Sequence, residues 1–163
     1  EQVRGIAREL ASAVRSGGLA LFMGAGTGIA AGLPGWDELV EKIAAELGLD
    51  HSAEQWKDLG PLDAAEVLRR TTERIPGEPQ KSLGDHVKKL VGDQPRYALL
   101  HLLLASLRVQ EAITTNFDRL YEHAVADIEG RRPLVLVPEK DPSQVARVGE
   151  AQWLLKLHGD VEN

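Results

Sequence analysis

Residues 19–28 read LALFMGAGTG, an apolar run that passes directly into a segment rich in glycine. The run Leu19 to Met23 is too short for a helix of typical length and has the length of a buried strand. Apolar residues then recur at helical spacing after Pro34 and Gly35, at Trp36, Leu39, Val40, Ile43, Ala44 and Leu47. The segment therefore predicts a strand, a glycine-rich turn and a helix, in that order.

The same alternation continues along the chain. Further strands are predicted at 112–115, 134–137 and 153–157, and further helices at 3–14, 97–107 and 120–128. Residues 97–107 are apolar on nearly every side, which predicts a central helix. Short apolar strands that alternate with amphipathic helices favour an α/β fold, a Rossmann-like parallel sheet with helices on both faces.

The length of 163 residues fits one domain of common size. Residues 50–94 are polar and interrupted by several prolines, with two helical stripes, which predicts a small helical insertion. The chain begins at Glu1 without an initiator methionine and ends at Asn163 soon after a predicted strand. We therefore expect residues 1–163 to form a partial domain, with further domains beyond residue 163.

The composition narrows the classes of partner. Nineteen basic and twenty-five acidic side chains give a net charge of −6, which disfavours binding to nucleic acid or to an anionic membrane surface. The sequence contains no cysteine, so a disulfide framework and a thiolate zinc site are excluded for these residues. No apolar run approaches the roughly 18 residues of a membrane span. We expect a cytoplasmic protein without a metal in this region.

Polar clusters follow three of the predicted strands, at 24–28, 114–118 and 157–160. Ligands of open α/β sheets bind at the carboxyl ends of the strands, where these clusters fall. Glycines without β-carbons let a diphosphate approach the backbone amides closely. The spacing departs from the usual dinucleotide fingerprint, because Ile29 stands where the third glycine is expected.

Each cluster also has a reading without a ligand. The glycines can form a tight connection between strand and helix, Asp118 can cap the following helix, and a lone His158 can be a surface or packing residue. The convergence of all three clusters on one edge of the sheet favours a ligand site. Trp36, beside the glycines, remains a candidate for stacking on a ring, whereas Trp56 and Trp153 fit core positions. The histidines without an assigned role are His51, His86, His101 and His123.

The three clusters resemble the sirtuin family in order and in sequence. The matching residues are Gly24-Ala25-Gly26-Thr27 running to Gly32-Leu33-Pro34, then Thr114-Thr115-Asn116-Phe117-Asp118, then His158-Gly159. The resemblance extends from Leu19 to the end, and within the family it is to the sirtuin-like, NAD-degrading effectors of bacterial antiphage defence.

The resemblance implies that NAD is the substrate and assigns roles to individual residues. Gly24, Ala25, Gly26 and Thr27 would line the phosphates and the proximal ribose, Asn116 and Asp118 would hold the nicotinamide side, and His158 would be the general base. Pro34 and Trp36 complete the predicted NAD-binding set. Asn116 and His158 are the predicted catalytic residues.

The implied reaction is NAD glycohydrolysis, which releases nicotinamide and ADP-ribose. Positively charged nicotinamide is already a good leaving group, so the enzyme mainly has to position the ribose and stabilise an oxocarbenium-like transition state. A neutral imidazole accepts a proton from water or a ribose hydroxyl, and an asparagine amide orients that nucleophile.

Departures from the sirtuin deacylases bear on the alternatives. Those enzymes follow the proline with Asp-Phe-Arg, whereas this chain has Gly35-Trp36-Asp37, and they place glutamine where Thr115 stands. Their four-cysteine zinc module is not seen here. A deacylase or ADP-ribosyltransferase therefore stays an alternative, as does a module that binds NAD or ADP-ribose without turnover. Because unregulated NAD cleavage would poison the host, we expect a homo-oligomer or a complex with a sensor or activator subunit.

Overall fold

The computed structural model describes residues 2–50, 56, 58–74, 81–92, 96–137 and 151–161. The elements in chain order are α1 Gln2–Arg15, β1 Ala20–Met23, α2 Ala25–Ile29, α3 Trp36–Glu46, α4 Pro61–Arg74, α5 Leu83–Val91, α6 Leu99–Ser106, β2 Glu111–Thr114, α7 Leu120–Glu129, β3 Leu134–Leu136 and β4 Trp153–Lys156. In this part of the chain, no helix has the length and apolar character needed to cross a bilayer.

The four strands form one parallel sheet in the order β1-β2-β4-β3. The register places Phe22 beside Ile113, Ile113 beside Leu155 and Leu155 beside Leu136. This confirms the predicted α/β class and the parallel sheet. Because β2 and β4 are hydrogen-bonded neighbours, the segments that follow them, 115–118 and 157–160, leave the sheet side by side.

One face of the sheet packs against α6 and α7. Because alternate side chains of a strand point to the same face of the sheet, the strands contribute Met23, Ala112 and Leu154 to this core. The helices contribute Ala105, Tyr121, Ala124 and Val125. The small alanine side chains let the helix backbones lie close to the sheet. On the opposite face, Phe22 is 68% exposed and Leu134 is 39% exposed.

A second core lies among α3, α4 and α5. Its buried members include Ile43, Ala44, Leu68, Val91 and Leu120, and Tyr97 packs against both this core and the core of the sheet. Two helices thus fall within the predicted range 50–94, while residues 51–55, 57, 75–80 and 93–95 lie outside the described part. That this range is a separate insertion stays a prediction.

The glycine-rich segment is helical, whereas the sequence predicted a turn. Gly24 is extended and precedes α2, and its carbonyl oxygen accepts a hydrogen bond from the backbone N–H of Thr27 at 3.0 Å. Gly32, at a φ of +86°, follows the end of α2, and the N–H of Leu33 donates to the carbonyl oxygen of Gly28 at 3.1 Å. A glycine is needed at position 32 because side chains disfavour a positive φ.

The expectation that residues 97–107 form a central helix was wrong. Only one side of α6 is buried, at His101 and Ala105, while Leu99 is 69% exposed and Leu103 is 55% exposed. The helix covers an outer surface of the sheet, so its apolar composition does not correspond to burial on every side. The apolar stripe of α1 is likewise exposed, with Val3 at 80%.

Candidate active site

A cavity of about 330 Å³ opens at the carboxyl ends of the strands. The predicted site residues that line it are Ala25, Pro34, Trp36, Asn116, Asp118 and His158. Its volume falls at the lower end of the range of about 300–1,000 Å³ that is typical of small-molecule sites. The fold therefore brings residues from three separate sequence clusters to one place.

The side-chain amide of Asn116 is fixed by two hydrogen bonds. Its Nδ2 donates to the carbonyl oxygen of Gly24 at 3.1 Å and to Thr27 Oγ1 at 2.9 Å. A carbonyl oxygen can only accept, so the nitrogen and not the oxygen of the amide must face Gly24. The backbone N–H of Asn116 donates to Thr114 Oγ1 at 3.0 Å. Asn116 Oδ1 is then held in one orientation as an acceptor.

Three residues of the predicted glycine-rich cluster do not line the cavity. Gly24 and Thr27 contact the cavity residue Asn116, because they accept the hydrogen bonds of its side-chain amide. Thr27 Oγ1 also donates to the carbonyl oxygen of Gly24 at 2.9 Å. A β-carbon built on Gly26 meets no described atom within 4 Å, so the surface beside Gly26 is open.

Asp118 caps a backbone amide and also lines the cavity, while its predicted contact with nicotinamide stays a prediction. Its Oδ1 accepts a hydrogen bond from the backbone N–H of Leu120 at 3.0 Å, which satisfies an amide at the start of α7. The side chain is buried and also lines the cavity. A β-carbon on Gly28 would lie 3.4 Å from Asp118 Oδ2 and 3.2 Å from Leu33 Cδ1, so a glycine at position 28 allows α2 to approach this loop closely.

His158 is solvent-exposed at the rim of the cavity. Its ring lies against Phe117, with the centroids 6.3 Å apart and the planes tilted by 42°. That separation is within the range of favourable aromatic contacts. Phe117 therefore limits the orientations of the imidazole while leaving it accessible from the cavity.

Apolar side chains form most of the remaining wall, and the sequence did not assign them to the site. They are Leu33, Leu39, Pro61, Leu62, Val91 and Phe117. Leu62 is 86% exposed, although it lines the cavity. Leu33 and Phe117 lie inside the matched motifs, so their positions were a usable signal. Pro61, Leu62 and Val91 come from α4 and α5, whose packing no local pattern reveals.

His101 has a structural role, consistent with the absence of any assigned function. Its Nδ1 accepts a hydrogen bond from the backbone N–H of Ala98 at 3.2 Å, at the start of α6. Burial lowers the pKa of His101, and the negative charge of Asp118 opposes that effect only in part. His101 is therefore a neutral core residue at physiological pH.

The titratable side chains that line the cavity are Asp118 and His158. Among the residues that the structure describes, no group of three or more histidine, aspartate or glutamate side chains is arranged to hold a metal ion. The chemistry that these two groups can supply is proton transfer and electrostatic stabilisation.

Two other concave surfaces, of about 400 Å³ each, lie at the opposite edge of the sheet. Both include Arg108, Val109 and Gln110, which precede β2. Ligand sites of open α/β sheets lie at the carboxyl ends of the strands, and none of the three motifs reaches this edge. The cavity beside Asn116 and His158 is therefore the candidate active site.

No protein-family model matches the chain. Curated relatives named NAD(+) hydrolase ThsA do match it. The protein from Enterococcus faecium is 28% identical over 158 residues, which are 96% of this chain and 30% of the relative. The corresponding protein from Cytobacillus dafuensis is 29% identical over 155 residues, 95% of this chain and 29% of the relative.

The protein of that name from Bacillus cereus is 31% identical over 144 residues, 88% of this chain and 28% of the relative. The chain is homologous to these NAD(+) hydrolases. It spans less than a third of the length of each of these three NAD(+) hydrolases. Their shared name agrees with the substrate that the sirtuin resemblance implies.

Proposed function

We propose that this chain binds NAD in the cavity at the strand ends and hydrolyses the bond between nicotinamide and ribose. The observation that carries the proposal is that Asn116 and His158, which are distant in the chain, open onto one cavity with largely apolar walls. The homology to NAD(+) hydrolases supports the identity of the substrate.

The apolar side chains of the cavity suit the rings of a dinucleotide, and the open backbone beside Gly26 suits its diphosphate. Flat rings pack against apolar surface such as that of Leu33, Leu39 and Trp36, the last of which is 37% exposed. The open surface beside Gly26 suits the diphosphate, because no β-carbon separates it from the backbone. Apolar walls also exclude bulk water from the bond that breaks.

The reaction consumes one water molecule. Its oxygen bonds to C1′ of the ribose as the C1′–N bond breaks, and the electron pair of that bond neutralises the nicotinamide ring. The water proton passes to His158 and then to solvent, so the products are nicotinamide, ADP-ribose and a proton. Most of the barrier is lowered by positioning, since the leaving group needs no protonation.

Asn116 and His158 act on that water together. Asn116 Oδ1 accepts a hydrogen bond from the water or a ribose hydroxyl, and the fixed amide gives that acceptor one direction. The exposed imidazole of His158 takes the proton. The buried carboxylate of Asp118 contributes negative charge near a transition state that is positively charged.

The wider biological setting is also a proposal. Residues 1–163 would form the NAD-cleaving domain, with 50–94 as an insertion, of a longer cytoplasmic protein in antiphage defence. Because constitutive NAD cleavage would kill the host, assembly into a homo-oligomer or a complex with a sensor subunit would control access to the cavity. The resemblance to antiphage effectors supports this setting.

The test is to incubate the full-length protein with NAD and to quantify nicotinamide and ADP-ribose. Asn116→Ala and His158→Ala are expected to abolish release. His86→Ala is the matched histidine control, because His86 contacts Glu46 and does not line the cavity. Its release should equal that of the wild type.

The alternatives have distinct outcomes in the same assay. Release that requires an acylated peptide or a protein acceptor would replace hydrolysis by deacylation or ADP-ribosyl transfer. Binding of NAD by the wild type with no product after long incubation would replace it by a binding module. Release that survives both Asn116→Ala and His158→Ala would remove these two residues from the mechanism.

A further inference from the structure

We infer that Lys156 is a positioning residue for this site. Its ammonium group fixes the loop that carries Asn116 relative to the turn that carries His158. The inference rests on the proposed function, since it concerns how the site of that reaction is assembled. Lys156 ends β4 and stands two residues before His158.

Lys156 is the last residue of β4 and its side chain is fully buried. It lies on the face of the sheet that α6 and α7 cover, because its register partner is Thr114 and its alternating neighbour is Leu154. Burying an ammonium group is costly unless several oxygens replace the lost water. A lysine in this position therefore has to be explained by its contacts.

Two of those contacts are to the backbone of the loop that follows β2. Lys156 Nζ donates to the carbonyl oxygen of Phe117 at 3.0 Å and to that of Asp118 at 2.6 Å. These residues come directly after Asn116 and line the cavity. The ammonium group thus determines the path of the backbone on which the catalytic amide is carried.

The other contacts are to carboxylates on either side. Lys156 Nζ lies 3.1 Å from Asp160 Oδ2 and 3.1 Å from Glu122 Oε1. Asp160 closes the turn that begins at His158, and Arg119 Nε holds the same carboxylate at 3.1 Å. Gly159, at a φ of +102°, gives this turn its shape.

A single ammonium group therefore contacts both the loop that carries Asn116 and the turn that carries His158. A further bond closes the unit, since the backbone N–H of Val161 donates to the carbonyl oxygen of Phe117 at 3.3 Å. An apolar side chain of the same volume would fill the space beside Phe117 without these bonds. It would also leave Glu122 and Asp160 without their shared cation, and burial already raises the pKa of Glu122.

The inference is tested in the full-length protein with three variants. Lys156→Met removes the charge and leaves the buried carboxylate of Glu122 without its cation. The double variant Lys156→Met/Glu122→Gln also removes that carboxylate, so it should lose less stability than Lys156→Met. Lys156→Arg keeps the charge. The control is Leu136→Ala, which destabilises the edge strand β3 through a lost core contact and leaves the Lys156 contacts in place.

Two measurements are made on each variant, with thermal unfolding to establish the folded fraction. The first is kcat and KM for NAD from nicotinamide release. We expect the double variant to lose about 100-fold in kcat with little change in KM, because positioning is lost while the binding walls remain. Lys156→Arg should recover part of kcat. The control should keep the wild-type kcat at temperatures where it is folded.

The second measurement is the ¹³C NMR shift of the His158 imidazole, assigned with His158→Gln. It should move in Lys156→Met and in the double variant, and not in Leu136→Ala. A wild-type kcat in the folded double variant, or an unmoved His158 resonance, would overturn the positioning role. Absence of nicotinamide release from the wild type would overturn the proposed function instead, and the His158 resonance would still decide the role of Lys156.

Discussion

Asn116 Nδ2 lies 2.9 Å from Thr27 Oγ1, a contact that connects the loop after β2 to the helix that follows β1. The two residues are 89 positions apart in the chain. Both amide hydrogens of Asn116 are used within this contact and the one to Gly24, so the direction of Oδ1 depends on them. The glycine-rich segment therefore orients Asn116, in addition to the NAD contact that we propose for it.

The hydroxyl of Thr27 should matter for catalysis although it does not line the cavity. Thr27→Val keeps the shape of the side chain and removes the acceptor of Asn116, so kcat for nicotinamide release should fall about tenfold or more. Thr27→Ser keeps the hydroxyl and should retain most of the activity. Equal rates for the two variants would show that Asn116 is oriented by other contacts.

Gly26 offers a substitution that should separate stability from binding. A β-carbon at this position of α2 meets no described atom, so Gly26→Ala should raise the free energy of unfolding by about 0.5–1 kcal/mol. The same β-carbon would stand where we place the diphosphate, so the Kd for NAD should rise. Urea unfolding and calorimetric titration measure the two effects.

Gly28→Ala is the matched comparison for Gly26→Ala within the same helix. Its β-carbon would meet Leu33 Cδ1 at 3.2 Å, so this variant should be less stable than the wild type.

If Gly26→Ala bound NAD as tightly as the wild type, the diphosphate would have to lie elsewhere.

The ion pairs of Glu46 should make part of the stability depend on pH. Hydrogen bonds from Lys89 and then from His86 lower the pKa of Glu46 in the folded chain. A lowered pKa means that the contribution is present above the ordinary glutamate value of about 4.3 and is lost as pH falls through the folded value. Glu46→Gln should therefore lower the urea midpoint at neutral pH.

The difference between Glu46→Gln and wild type should shrink as the pH falls below the ordinary glutamate value and through the lowered folded value, because the wild-type carboxyl then becomes protonated as well. Urea titrations of both proteins at about pH 7 and about pH 2.5 test this. A difference that stayed constant between the two conditions would mean that Glu46 contributes through packing and not through its charge.

Tyr121 carries a buried hydroxyl with no hydrogen-bond partner among the residues described. Burial raises its pKa to about 12, so the group is protonated at neutral pH. Tyr121→Phe removes an unsatisfied polar group and should leave the free energy of unfolding unchanged or raise it by about 1 kcal/mol. Chemical denaturation measures this change.

The comparison for Tyr121→Phe is Tyr97→Phe. Tyr97 Oη donates to Asp127 Oδ2 at 2.6 Å, so this variant loses a hydrogen bond and should be less stable than the wild type. A marked destabilisation by Tyr121→Phe would reveal a partner for its hydroxyl.

Local periodicity was sufficient to predict most elements. The strand predicted at Leu19–Met23 is observed at Ala20–Met23, and the stripe that begins at Trp36 becomes α3. These patterns are strong because one side of each element is buried against the rest of the chain. Parallel pairing could also be predicted, since a helix follows β1 and another follows β2.

The elements that the sequence predicted wrongly depend on contacts distant in the chain. Glycine has a low helix propensity, yet α2 forms, and Asn116 from the neighbouring loop donates to Gly24 and Thr27 at its start. The exposure of Leu99 and Leu103 depends on what packs outside α6, which no pattern within α6 reports.

The residues of the candidate site also fall into two groups, those that local patterns predicted and those that depend on distant contacts. The position of Asn116 and His158 on one edge of the sheet could be predicted, because polar residues that follow parallel strands share that edge, whereas the pairing of β2 with β4 could not. The apolar wall from α4 and α5, with Leu62 and Val91, could not be predicted, because helix packing places it. Lys156 was missed because its contacts lie within the fold and not within its own segment.

The strand order has a consequence for how this chain tolerates change in length. Asn116 and His158 follow neighbouring strands, so the bonds between β2 and β4 set their separation. The edge strand β3 lies between them in sequence but pairs with β4 on the side away from β2. Residues inserted in the Gly130–Pro133 connection would cost only loop entropy, which grows slowly with length. Homologues can therefore differ in length here while keeping the geometry of the candidate site.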